Sequence, residues 1–243
     1  SSDPIIPLGN KGEFDQFGTM PGDFIIHDNK IKMFYTGWNR LSDVPYNFSI
    51  GLAISEDKGK TFNKFSNGPI IGQSVDNPYT CGSGAALIKD NKFHMFCISG
   101  IDWILVNGKL EHTYGIKHAY SDNGISWKFY NEFAIYPKNN FEAIAAPTVI
   151  KIKDKYHMWF SYRGSHDFRG GTDSYKIGYA SSEDLIKWKR DDENSGIKFS
   201  KNGWDSNMMC YPYVFNLKNE YYMLYNGNSF GKNSIGLAKM IFE

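Results

Sequence analysis

The chain has 243 residues, 41% of them hydrophobic and 22% charged, with 27 Lys and Arg against 26 Asp and Glu for a net charge of +1. That composition fits a folded globule of one large or two small domains, and it carries no electrostatic footprint for nucleic acid or an anionic membrane. No apolar run approaches the ~18–20 residues of a membrane-spanning helix, no signal peptide is visible, and three scattered cysteines, Cys81, Cys97 and Cys210, are too few for a disulfide framework and slightly favour the cytoplasm over export.

The chain opens on SSDPIIPLGN rather than on Met, which implies a trimmed start. Residues 21–37, PGDFIIHDNKIKMFYTG, hold two apolar runs split by Asp28-Asn29, a hairpin signal. A third strand, IGLAIS at 50–55, runs into SEDKGKTF at 55–62. In that turn an Asp side chain can accept from backbone N–H groups, Gly59 supplies a positive φ, and Phe62 packs back on the sheets. The stretch SNGPIIGQSV at 66–75 resembles the N-terminal ten residues.

The same succession then returns three times. KFHMFCISG (92–100), GIKHAYS (115–121) and SDNGISW (121–127) form the second copy. KYHMWFSYRG (155–164), IGYASS (177–182) and SSEDLIKW (181–188) form the third, and EYYMLYNG (220–227) with IGLAKM (235–240) the last, which has no turn after it. The marker methionines Met33, Met95, Met158 and Met223 are spaced by 62, 63 and 65 residues. No stretch sustains a 3.6-residue period. Four antiparallel strands per unit of about sixty residues is the pattern of a β-propeller blade. The expectation is an all-β, single-domain propeller over residues 1–243, with four-stranded blades at roughly 11–70, 71–135, 136–200 and 201–243 plus 1–10. Either the two ends close a four-bladed ring or an N-terminal blade is missing; the spacing fits four.

The strand pair, the IGYA-like third strand and the S-x-D-G-x-x-W turn resemble the propellers of glycoside hydrolase family 43 and its relatives in families 32, 68, 117 and 130, which have five blades. The resemblance covers most of the chain and is closest at 146–164, APTVIKIKDKYHMWFSYRG, and at 21–37. It implies a carbohydrate-active protein. In family 43 the general base is the Asp of an Asp-Pro pair and the general acid the Glu of Glu-Gly-Pro. Here those places hold Pro21-Gly22, with Asp23 one position later, and Ala145 before Ala146-Pro147, with Glu142 as the nearest carboxylate. The catalytic pattern of the family is absent or displaced.

A carboxylate does recur in the loop leading into each first strand: Asp15, Asp76, Glu142 and Asp205 lie 18, 19, 16 and 18 residues before the marker methionines. Glycoside hydrolysis needs two carboxyl groups about 5–5.5 Å or ~6.5–9.5 Å apart. The expected assignment is Glu142 as acid, Asp15 or Asp23 as base, and Asp76, or Asp102 in its place, as the charge that tunes or positions. The bland alternative is that such acids cap strand ends. The loops after the second strands add Trp38, Arg40, Asp102, Trp103, Arg163, His166, Asp167, Arg169, Asn226 and Asn228; with Asp205 these are the expected sugar contacts. Three of the four arginines in the chain fall in these loops, which suggests an anionic group on the carbohydrate. His94 and His157, at equivalent places beside their methionines, read as structural. No glycine-rich phosphate loop or zinc spacing is present, so neither a cofactor nor a metal is expected. The alternatives to a hydrolase are a non-catalytic glycan-binding or assembly module, and a transferase or phosphorylase whose arginines hold phosphate.

Overall fold

The computed structural model describes residues 3–241; residues 1, 2, 242 and 243 of the expected domain span lie outside the described residues. The described chain is all-β, with sixteen strands and two three-residue 3-10 turns. No helix among the described residues is long and apolar enough to cross a membrane. The first repeat comprises β1 (Gly18–Met20), β2 (Phe24–His27), β3 (Lys30–Asn39), β4 (Asn47–Ser55) and β5 (Asn63–Lys64). The second comprises β6 (Cys81–Lys89), β7 (Lys92–Val106), β8 (Lys109–Ser121) and β9 (Lys128–Ile135). The third comprises β10 (Ala143–Ile152), β11 (Lys155–Arg163), β12 (Lys176–Ser182) and β13 (Lys189–Arg190), and the last β14 (Cys210–Leu217), β15 (Glu220–Asn226) and β16 (Ile235–Lys239).

Within each repeat the strands pair with sequence neighbours: β2–β3–β4–β5, β6–β7–β8–β9, β10–β11–β12–β13 and β14–β15–β16. The chain forms two compact units, residues 1–103 with 117–133 and residues 104–116 with 134–243. The marker methionines are core residues in both: Met95 and Met158 are fully buried, and Met33 and Met223 nearly so. Met95 packs with Phe34, Leu52 and Phe93 in the first unit, and Met223 with Trp159, Ile177 and Val214 in the second.

Local chemistry explains the recurring connections. Asp28-Asn29, Asp90-Asn91 and Lys218-Asn219 all have two successive positive φ angles, the two-residue turn whose twist matches that of the flanking strands. After the third strand, Asp57 accepts from Lys60 N and Thr61 N, at 3.0 and 2.9 Å. Asn123 does the same for Ile125 N and Ser126 N, and Asp184 for Ile186 N and Lys187 N. The second copy thus closes on an amide rather than a carboxylate, because only an acceptor oxygen is required.

The first strands of the last three repeats share an irregularity. The register slips between Gly82 and Ala85, Ala145 and Thr148, and Cys210 and Tyr213. Ser83, Ala146 and Tyr211 sit there with φ of 47°, 46° and 57°. The bulges at Ser83 and Tyr211 are stitched to a neighbouring strand: Ser83 N donates to Thr36 Oγ1 in the first unit, and Tyr211 N to Ser161 Oγ in the second.

Candidate functional site

Three of the four recurring carboxylates, Asp15, Glu142 and Asp205, are held as latches. Asp15 is buried; it accepts from the Tyr35 hydroxyl at 2.9 Å and pairs with Lys64 Nζ at 2.6 Å. Asp205, also buried, accepts from the Tyr225 hydroxyl at 3.0 Å. Tyr35 and Tyr225 stand at the same place in their repeats, two residues after the marker methionine. In the third repeat that place holds Phe160, which has no hydroxyl. There Glu142 is gripped instead by Arg190, at 2.7 and 2.8 Å, and caps Lys138 N at 2.7 Å. Arg190 and Lys64 correspond, each two residues after the turn aromatic. Arg190 also binds Asp192, which Lys138 Nζ reaches at 2.7 Å; burial opposes the Asp192 charge, but these two cations hold its carboxyl below the usual range.

Asp23 is a stitch of another kind. It accepts from Phe24 N at 2.8 Å and from Ala86 N in the next first strand at 2.9 Å. Thr148 Oγ1 accepts the corresponding hydrogen bond from Val214 N in the second unit. Asp76 alone of the proposed acids has an exposed side chain. The expected acid–base set of Glu142, Asp15, Asp23 and Asp76 is therefore placed as two ion-paired latches, one stitch and one surface residue.

Two of the three loop arginines are engaged by protein groups. Arg163 is 3% exposed. Its two terminal nitrogens donate to Gly164 O, Ser165 Oγ and His112 O. Arg169 makes a two-pronged pair with Glu111, and the Phe168 ring is shared by the two guanidinium groups, 3.8 and 4.1 Å from its centroid. Arg40 lies over the Phe17 ring. His166 faces Asp173 at 3.4 Å rather than Asp167, whose carboxylate instead receives Asp173 N and Thr172 N and closes the loop. Asn228 caps Asn207 N and Met208 N, and Asn226 donates to Phe230 O. The expected structural histidines are engaged: His94 Nδ1 meets His118 Nε2 at 2.9 Å, and His157 Nδ1 meets the Tyr179 hydroxyl at 2.7 Å.

Two aromatic groups remain as candidate ligand surfaces. In the first unit, Trp38 and Trp103 are brought together through Tyr46, with ring centroids 5.1 and 5.0 Å apart. All three are half-buried, and Asp102 is exposed beside them. In the second unit, Tyr175 is buried beneath Tyr211 and Phe230, both 37% exposed, at centroid separations of 5.7 and 5.9 Å. The hydroxyls of Tyr114 and Tyr175 are 3.3 Å apart. Burial pushes the Tyr175 and Tyr211 phenols up, so both keep their protons near neutral pH. A bulky residue at positive φ is uncommon and marks strain that is typical of functional positions. Sequence reasoning passes over Tyr211 and Tyr175. The available signal is the shared spacing, since Ser83, Ala146 and Tyr211 all lie twelve residues before a marker methionine. Among the described residues no cluster of three or more His, Cys, Asp or Glu side chains could hold a metal ion.

No family model matches the chain. Among solved structures, one described as a glycoside hydrolase aligns with a TM-score of 0.75 at 16% identity, over 96% of this chain and 72% of that one. A thermostable family-43 glycoside hydrolase aligns at 0.70 and 20% identity, over 92% and 71%. The Cellvibrio cellulosa alpha-L-arabinanase complexed with arabinohexaose aligns at 0.66 and 13%, over 92% and 73%. At these identities the likeness establishes the fold, which is that of the β-propeller glycoside hydrolases. Two Mycobacterium tuberculosis proteins, uncharacterized protein Rv1502 of strain H37Rv and uncharacterized protein MT1551 of strain CDC 1551, are each 30% identical over 238 residues, 98% of this chain and 76% of theirs. The chain therefore belongs to the family of these mycobacterial proteins.

Proposed function

We propose that this chain recognises a carbohydrate through its loop aromatics, as a glycan-binding module on a glycoside hydrolase fold. The observation that carries this reading is the half-buried ladder Trp38–Tyr46–Trp103 with Asp102 exposed beside it. Rings of this kind stack on the C–H faces of a sugar, while neighbouring polar groups take its hydroxyls. The four repeats are read as blades of one propeller domain. The repeated stitches Thr36–Ser83 and Ser161–Tyr211 support that reading, since equivalent units make equivalent contacts.

Hydrolysis by paired carboxylates is the second reading, favoured by the glycoside hydrolase neighbours. It would require Glu142 to leave Arg190 and Asp15 to leave Lys64 before either could act on a glycosidic bond. A glycan array, followed by calorimetry and a reducing-end assay on the hits, separates the two. The binding reading expects saturable binding that Trp38→Ala weakens at least ~10-fold, with no release of reducing ends. Turnover that Glu142→Gln abolishes while the protein stays folded would establish the hydrolytic reading instead.

A further inference from the structure

The third strands of three repeats carry a glycine at one place: Gly51, Gly178 and Gly236. Each pairs with the aromatic two residues after the marker methionine, namely Tyr35, Phe160 and Tyr225. A Cβ at these glycines would come within 2.4, 2.3 and 2.4 Å of the partner ring, so the ring demands a glycine there. The second repeat departs from the rule at both positions. Lys117 stands where the glycine should be, four residues before Ser121 as Gly51 is before Ser55, and Cys97 replaces the aromatic.

Lys117 is 9% exposed. Its ammonium donates to the carbonyl oxygen of Asp76 and lies 5.3 Å from the Phe133 ring centroid. Among the described residues, no carboxylate lies within ion-pair distance of it. Buried charges are ordinarily paired. The comparison with the other repeats sharpens the anomaly. Where Tyr35 and Tyr225 present a neutral hydroxyl to a buried Asp, the second repeat presents a cation, and the buried side chain at that loop is Asn77. Asn77 is fully buried; its Oδ1 accepts from Ser99 Oγ at 2.8 Å, while its Nδ2 has no acceptor. The ammonium is held at the Asp76 carbonyl and the unpartnered amide N–H belongs to the next residue along the loop, so the two donors meet the loop at consecutive residues.

We propose that Lys117 and Asn77 form a donor site for an oxyanion carried by a sugar, either a carboxylate or a phosphate. The sugar part rests on the carbohydrate reading above; the charge part rests on Lys117 and Asn77 alone. The test is calorimetry of the wild-type chain with D-glucuronate, D-glucose 6-phosphate, D-glucose and inorganic phosphate, repeated on Lys117→Met and Asn77→Asp. At least one acidic sugar should bind ~10-fold or more tightly than glucose, as charge-assisted hydrogen bonds imply. Glucuronate alone identifies a carboxylate and glucose 6-phosphate alone a phosphate. Lys117→Met should abolish the preference while leaving glucose binding intact. Asn77→Asp supplies the missing carboxylate from within, so it should raise the melting temperature and abolish anion binding, which tests the site even if Lys117→Met fails to fold. Equal affinity for acidic and neutral sugars, a preference that survives Lys117→Met, or a lowered melting temperature in Asn77→Asp would overturn the proposal. Lys117-dependent binding of inorganic phosphate with no sugar bound at all would uphold the site and sink the carbohydrate reading.

Discussion

The latch of the first unit and the latch of the second solve one problem with different residues. Around Asp15, a phenol and an ammonium share the carboxylate: Tyr35 donates a hydrogen bond and Lys64 supplies the counter-charge. Around Glu142 the phenol is lost, because Phe160 replaces the tyrosine. The compensation is a longer acid and a guanidinium, whose planar fork engages both carboxylate oxygens and still reaches Asp192. Arg190 lies 5.2 Å over the Phe160 ring, which keeps the aromatic face of a tyrosine without its hydroxyl. The lesson is that a carboxylate recurring at one place in every repeat can be a requirement of the architecture. Three of the four, Asp15, Glu142 and Asp205, are held by partners from their own repeat, while Asp76 of the second repeat has an exposed side chain.

The comparison predicts unequal sensitivities. The largest effect should come from Arg190→Met, which leaves Glu142 and Asp192 buried without their shared cation and should destabilise by ~3–5 kcal/mol in urea denaturation. A loss below ~1 kcal/mol would mean the second latch contributes little. Lys64→Met should cost less, about 2 kcal/mol, because Tyr35 still donates to Asp15. If the two variants lose the same stability, the phenol adds nothing and the proposed compensation between the repeats fails.

Each unit also buries one imidazole, which allows the comparison to be made by pH. Burial holds His118 in the first unit at about 3, helped by the neighbouring His94. It holds His112 in the second at about 3, with Arg163 adding repulsion. The unfolded chain takes up a proton at each near pH 6.5, and the folded chain refuses it until about pH 3. Stability is therefore complete above roughly pH 6.5 and falls on acidification by about 1.4 kcal/mol per pH unit for each histidine. His118→Phe, at a site already stacked against Phe96 and Tyr130, should remove about 1.4 kcal/mol per pH unit from that decline between pH 6 and 4.5. An unchanged slope would show that His118 takes up its proton without resistance.

The smallest effect should come from Arg169→Ala. Its pair with Glu111 is well aligned and Glu111 is buried, but the arginine side chain is 63% exposed, so water can take its place and the loss should be about 1 kcal/mol in thermal or chemical melts. A larger loss would make the Arg163–Phe168–Arg169 stack a structural element of the second unit rather than a surface contact.

The strands, hairpins and turns are legible in the sequence because each depends on a few consecutive residues. Asp28-Asn29 at a hairpin tip and Ser55 to Thr61 closing on itself need no distant partner. The aromatics Phe62, Trp127 and Trp188 introduce the fourth strands, which begin at Asn63, Lys128 and Lys189. The role of the acids is not legible. Glu142 is joined to Arg190 across 48 residues, and nothing beside either residue announces the other. Arg163 has the composition around it of a ligand-binding loop arginine, yet its side chain turns inward to three protein acceptors.

The amino-acid sequence by itself determined the repeat: its period, its strand-only character, its buried methionines and its turn chemistry, all of which follow from hydrophobic alternation and local hydrogen bonding. Only the tertiary structure decided what each polar residue does. Whether a carboxylate is a latch, a stitch or a free acid depends on which donors folding brings to it from 20 or 48 residues away, and on how much water is left around it. Lys117 shows both levels together. The broken glycine rule can be read in the sequence, but that its ammonium is buried without a counter-charge is a property of the fold.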